Sequence, residues 1–290
     1  MTPVRQHRFL FTVSVLAAVL ILAGCVSPPD IRVQESTTRS PGGIPGFEIF
    51  CFYSHSAQDD PIVAPGMPGR SAHRHEFAGN TTTNANSTDA SMRAGSTNCQ
   101  EPDDTAGYWT PTLYSHGVEV RPDRLHAYYR WGQFKDVASI QPVPAGLRII
   151  AGDAKAIRPQ SSSIVGWNCG VQGQTQYDHP ISCKSGQKIV LHLFFPNCWN
   201  GRDLDSPDHK SHMAYSHNGT CPPGFPVAIA RLSADFGYPI TDGSAITLSS
   251  GAALTAHTDF WNTWKQDAMV KLTRDCINRG IQCGPIHHRV

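Results

Sequence analysis

Charge is what this chain has least of. Only 16% of its 290 residues are Asp, Glu, Lys or Arg, against about 25% in an ordinary soluble domain. The formal net charge is +1, so neither a polybasic nucleic-acid binder nor an acidic-tail protein fits. No apolar run reaches the ~20 residues that a membrane-spanning helix requires. There is no Cys-x-x-Cys, and zinc ribbons and fingers use such close pairs. There is no Gly-x-Ser-x-Gly, which argues against the nucleophile elbow of serine hydrolases. No glycine-rich phosphate loop occurs, so no nucleotide cofactor is expected. Internal repeats are absent as well. What remains is apolar enough to fold: 40% hydrophobic and 9% aromatic, with 25 Gly, 22 Pro, 14 His and 9 Cys.

The odd cysteine lies near the N-terminus. Arg5 and Arg8 precede an apolar stretch from Phe9 to Leu22 with no acidic residue, the charged and hydrophobic regions of an export signal. The stretch ends in Leu22-Ala23-Gly24-Cys25, which resembles a bacterial lipobox. Residues 1–24 are therefore expected to be a lipoprotein signal peptide, with Cys25 lipidated and the chain anchored to the outer face of a bacterial membrane. Two or more acyl chains there give a stable anchor, where one does not. Residues 25–46 carry Pro28-Pro29 and Pro41-Gly42-Gly43 and read as a flexible tether. Residues 47–290 read as one β-rich domain.

The other eight cysteines, Cys51, Cys99, Cys169, Cys183, Cys198, Cys221, Cys276 and Cys283, are an even number in an exported chain and imply disulfides. Eight cysteines allow 105 pairings; the simplest joins sequence neighbours, 51–99, 169–183, 198–221 and 276–283.

From residue 47 onward, short runs rich in Ile, Val, Phe, Tyr and Trp alternate with turns. Phe47–Tyr53, Leu125–Trp131, Leu147–Ala151, Ile189–Phe195, Pro226–Leu232 and Ala245–Leu248 read as strands. The near-continuous run from Lys188 to Phe195 suggests burial on both faces, with His192 a satisfied core histidine. A short helix is expected after Ser87 or Thr88, through Met92 to Gly95. From Thr258 to Arg279 there is no Gly or Pro. Trp261, Trp264, Ala268, Leu272 and Cys276 recur at helical spacing, so a C-terminal α-helix is expected, closed by Gly280. The fold class is thus mainly β, a sandwich or open barrel-like sheet with long loops, disulfide-rich, with one C-terminal helix.

Two polar clusters could carry chemistry. In His73-Arg74-His75-Glu76, an extended backbone points both imidazoles to one face. In Asp203-Leu204-Asp205-Ser206-Pro207-Asp208-His209-Lys210-Ser211-His212, a helical turn begun at Ser206-Pro207 would put His209 and His212 on one side. His73, His75, His209 and His212 are the candidate ligands of a divalent ion, zinc or copper. Asp205, Asp208 and His209 are the candidate general acid and base at a glycosidic bond. Trp199 and Trp109 are candidate platforms for a sugar ring. Trp261 and Trp264 read as core, and His287-His288 as incidental.

Five ordered strings resemble the family of secreted fungal and bacterial proteins known as domain of unknown function nineteen ninety-six. They are His73–Asn80, Tyr108–Tyr114, Pro144–Gly152, Phe195–Gly201 and Asp205–Tyr215, and the resemblance covers about residues 47–283. Asn200 stands where the family often has Asp, and Ala78 where an aromatic residue or Gly is common. The resemblance implies no settled activity. Fungal members are often joined to carbohydrate-binding modules, which turns the expectation toward polysaccharide. Three readings stay open: a hydrolase or lyase acting on envelope or extracellular polysaccharide, a non-catalytic carbohydrate-binding module, and a metal-binding lipoprotein.

Overall fold

The computed structural model describes residue 1 and residues 39–41, 43–171 and 173–285. The expected signal peptide, Cys25, most of the tether and His287-His288 lie outside the described residues. One long sheet organises the rest. In chain order the strands of its main path are β1 (Gly46–Ala57), β2 (His75–Gly79), β3 (Gly107–Pro111), β4 (Arg124–Arg130), β5 (Arg148–Gly152), β6 (Val165–Asn168), β7 (Ile189–Phe194), β8 (Arg231–Tyr238) and β9 (His257–Trp261), and the strands Ile281–Pro285, paired with β1, and Arg39–Pro41, paired with Ile281–Pro285, extend it. The spatial order along the main path is β5-β9-β3-β2-β1-β4-β8-β7-β6, and every neighbouring pair in it is antiparallel. β7 also approaches β5, so the sheet curls into a near-barrel. A strand with successive side chains on opposite faces suits this arrangement, and the expected β-rich, disulfide-held class holds.

The inward face is apolar: Phe47, Ile49, Tyr108, Tyr129, Leu191, Phe236 and Phe260 are all within the main core. A buried relay crosses it. Trp264 Nε1 donates to the Tyr129 hydroxyl at 3.1 Å, Tyr129 and Tyr108 hydroxyls lie 2.6 Å apart, and Tyr108 donates to Asp104 at 2.9 Å. The outward face of β2, β3 and β9 is also covered, because the long loops after β1 and β2 fold over it. Ile62, Phe77, Met92, Trp109 and Trp261 form a second, smaller apolar cluster there. The expected short helix is α1 (Asp89–Arg93), with Thr88 as N-cap and a reciprocal bond between Thr88 and Ser91. Its Met92 plugs this second cluster.

The C-terminal segment differs from expectation. Residues from Thr258 do not start a helix. His257–Trp261 is strand β9, held by β5 on one edge and β3 on the other. Helix begins only at α2 (Gln266–Leu272), which runs on into one π-helical turn at Thr273–Ile277. The physical reason is burial on every side: all five β9 residues are buried, so apolar spacing carries no directional information. Tertiary pairing then overrides local pattern. Trp261 and Trp264 are core residues as expected, at 1% and 0% exposure. Gly280 does close the segment, at φ 67° with its N–H on the Ile277 carbonyl.

All four disulfides join sequence neighbours: Cys51–Cys99, Cys169–Cys183, Cys198–Cys221 and Cys276–Cys283. Each closes a loop of 7 to 48 residues, and each contributes on the order of 2–4 kcal/mol. Cys51 lies on β1 and Cys283 on the strand Ile281–Pro285, so two of the disulfides tie flanking chain to the sheet, while Cys169–Cys183 and Cys198–Cys221 lie outside it.

A candidate metal and carboxylate centre

The two-residue period of β2 and β9 builds the site. His75 and Phe77 on β2 share a face with His257, Asp259 and Trp261 on β9, and with Trp109 on β3 between them. Glu76 points the other way and is satisfied there, accepting from Ser56 Oγ and Thr112 Oγ1 at 2.5 and 2.6 Å. Gly152, at φ 82°, lets β5 end flush against β9: a Cβ there would lie 2.5 Å from the Ala256 carbonyl. His73 arrives from the loop just before β2, and Asp60 from the loop after β1. The Asp60 carboxylate organises its own turn, accepting from the Ile62 and Val63 N–H groups at 3.0 Å each.

These residues converge. Potential ligand atoms of His73, His75 and His257 lie within 4.8 Å of one another, and so do those of Asp60, His75 and Asp259. His75 is common to both groups. The tautomers follow from the hydrogen bonds. His75 Nδ1 lies 2.9 Å from the Asp59 carbonyl, and His257 Nδ1 lies 2.9 Å from the Thr255 carbonyl. A carbonyl oxygen only accepts, so both Nδ1 atoms carry hydrogen. In the neutral ring, Nε2 then keeps its lone pair. Both rings are neutral at pH 7: burial holds His75 well below its ordinary value and brings His257 down to about 4. His73 is lowered by burial too, and its Nε2 is 3.0 Å from His257 Nε2.

The centre is under-satisfied. His75 Nε2 and both carboxylate oxygens of Asp259 are buried without a hydrogen-bond partner. Native proteins rarely leave such groups unpaired. Burial, reinforced by Asp60, raises the Asp259 carboxyl well above the usual range, and burial raises Asp60. Carbonyl-anchored imidazoles that present Nε2 inward, with carboxylates beside them, make a donor set suited to a divalent transition ion.

The Asp203–His212 turn borders the same place. The charge of His209 lowers Asp60, and that of Lys210 lowers Asp259 and His257. His209 adopts a left-handed φ of 57°, uncommon outside glycine. Its Nδ1 is 2.9 Å from Asp205 Oδ1, and Asp205 Oδ2 is 3.7 Å from Arg148 Nη1. Asp205 thus orients His209 as a carboxylate orients a catalytic imidazole. Lys210 Nζ donates to the Gly152 carbonyl at 2.8 Å. His209 and Lys210 also line a cleft of about 240 Å³ with Asp153, Gln160 and Tyr215.

The other candidates stand apart. Both ring nitrogens of His212 are engaged, Nδ1 with Ser206 Oγ at 2.9 Å and Nε2 with the Arg148 carbonyl at 2.8 Å, so it braces the turn. Asp208 is exposed, and its Oδ1 collects the Ser206 hydroxyl and the Lys210 and Ser211 N–H groups. Trp199 is half-buried, donating from Nε1 to the Asp203 carbonyl at 2.7 Å. Trp109 is fully buried beneath the centre, where it forms a wall rather than an open platform. Sequence reasoning missed Asp60, His257 and Asp259. His257-x-Asp259 has the same one-residue spacing as His73-x-His75, a signal visible only if that segment is read as a strand.

Fold and centre together define a disulfide-held, mainly β protein with a buried histidine–carboxylate cluster on the outward face of its sheet. The chain belongs to the family described as Domain of unknown function (DUF1996), matched over residues 60–264, a span that contains every member of the centre. No curated protein and no solved structure matches it.

Proposed function

We propose that this protein is an exported, lipid-anchored, metal-dependent hydrolase acting on envelope or extracellular polysaccharide. The observation that carries the reading is the convergence of two Nε2 lone pairs, on His75 and His257, beside a buried carboxylate that has no partner. His73, His75 and His257 would hold the ion, with zinc or copper as the fitting classes. Bound there, such an ion would supply positive charge to offset negative charge developing on oxygen. His209, aligned by Asp205, takes a proton from the water whose oxygen bonds to the anomeric carbon, and that proton passes to the departing oxygen as the glycosidic bond breaks. Asp60 and Asp259 offset the ion's charge from a side closed to bulk water. The 240 Å³ cleft at His209 and Lys210 is the place for a sugar ring. Export and anchoring at Cys25 rest on the signal-like N-terminus and agree with four disulfides.

The test uses protein made without a histidine tag. Equilibrium dialysis against zinc should give one ion per chain, and His75→Ala should lose it. Release of reducing ends from polysaccharide should stop on chelation and in His209→Ala, whose zinc content should stay at one. Zinc below one-tenth of stoichiometry in the unaltered protein would overturn the metal reading. Metal binding without any product release from a broad polysaccharide panel would overturn the hydrolytic one.

A further inference from the structure

A second polar constellation lies on the outward face of β1, β4, β8 and β7, built from residues the metal centre does not use. Antiparallel register sets two rows across these strands. One runs Glu48, Tyr128, Ser233 and Phe194; the next runs Phe50, His126, Asp235 and His192. Within them, the Tyr128 hydroxyl is 2.6 Å from His126 Nδ1, and His126 Nε2 is 3.1 Å from Glu48 Oε2. His192 Nδ1 is 2.8 Å from Asp235 Oδ1. The Arg130 guanidinium sits 4.4 Å over the Tyr128 ring and 3.7 Å from Glu48. His192 Nε2 is buried without a hydrogen-bond partner. His192 is therefore paired on one nitrogen and open on the other, not a fully satisfied core histidine. These rows floor a trough of about 1180 Å³, edged by Trp131, Asn168 and Gln176.

We infer that this trough binds an extended, uncharged saccharide chain. Its volume lies just above the ~300–1,000 Å³ of pockets that hold one small ligand. Its floor alternates donors with acceptors, and sugar hydroxyls, which both donate and accept, match that mixture. Carboxylates at Glu48 and Asp235 oppose a polyanion, and the Arg130 and Arg124 guanidiniums are already occupied, over Tyr128 and over Phe50 at 5.2 Å. Trp131 supplies a flat apolar surface for a ring face. The rows lie on the sheet's face, not its edge, so an extended peptide would find no free backbone ladder to join. The inference shares with the proposed function only the ligand class; it does not depend on the metal.

The test is titration of the full chain with cellohexaose, xylohexaose and laminarihexaose, followed by calorimetry and by chemical-shift changes. At least one should bind. Tyr128→Phe and Asp235→Asn preserve side-chain shape, and each should weaken binding by about tenfold or more while leaving the melting temperature near that of the parent. His75→Ala should bind the hexasaccharide as the parent does, which separates this site from the metal centre. Absence of binding by all three, binding unchanged in both trough variants, or binding only of a polyanion such as oligogalacturonate would overturn the inference.

Discussion

Two of the polar clusters among the described residues obey opposite rules. The Asp203–His212 turn is the denser in sequence, yet nearly all its polar groups are spent on itself. Asp208 caps N–H groups, Asn200 and Arg202 hold Asp203, and both His212 nitrogens are bonded. The β2/β9 centre is sparser, but it keeps a bare imidazole nitrogen and a bare carboxylate inside the protein. Density of polar residues thus marks a well-made turn, whereas unsatisfied burial marks a place waiting for a ligand. Only His209 and Lys210 belong to both, projecting from the self-sufficient turn toward the deficient centre.

The sharpest way to break this contrast is substitution at the centre. His75→Ala and His257→Ala should each lower zinc affinity by at least about 100-fold, read by competition with a chromogenic chelator. His212→Ala should leave affinity unchanged. If His212→Ala matched the other two, the turn rather than the sheet would hold the ion.

A second expectation concerns pH. Folded His257 titrates near 4, against 6.5 when unfolded. Between those values the unfolded chain takes up a proton that the folded chain refuses, so stability falls as pH drops from about 6.5 toward 4. The full loss is about 3 kcal/mol, measurable by urea denaturation at several pH values. His257→Gln should flatten the profile.

Next comes a trade of stability against function. Without metal, the buried Asp259 carboxyl is a burden on the fold, because its acidity is suppressed and its oxygens are unpartnered. Asp259→Asn should stabilise the metal-free protein by about 1–3 kcal/mol and weaken zinc binding. Destabilisation instead would mean that the carboxyl is already well paired. The smallest effect is expected in the turn: Asp208→Ala removes the acceptor of two turn N–H groups and should lower the melting temperature only slightly, with zinc affinity untouched.

Much of the fold is legible because the turns and disulfides are local. Thr88 caps a helix, Gly280 ends the C-terminal segment, and neighbouring cysteines pair because short loops bring them together. The strands that hold the centre are less visible. β2, β3 and β9 are short and buried on both faces, so β9 imitates the spacing of a helix and β3 (Gly107–Pro111) shows no alternation. The site was half-visible for the same reason. His73 and His75 stand out as a pair, but Asp60 lies in a loop and His257 and Asp259 lie nearly 200 residues away, joined to them only by antiparallel register through β3. Nor does composition reveal that His212 is spent while His75 Nε2 is bare, since that depends on which carbonyl each ring meets.

The most direct measurement is anomalous diffraction at the zinc edge from crystals of the untagged protein equilibrated with zinc. A single peak about 2 Å from His75 Nε2 and His257 Nε2, with His73 as the third ligand, is the expected result. No peak at this centre, or a peak bound instead by His209 and His212, would contradict the assignment of the ion to the sheet.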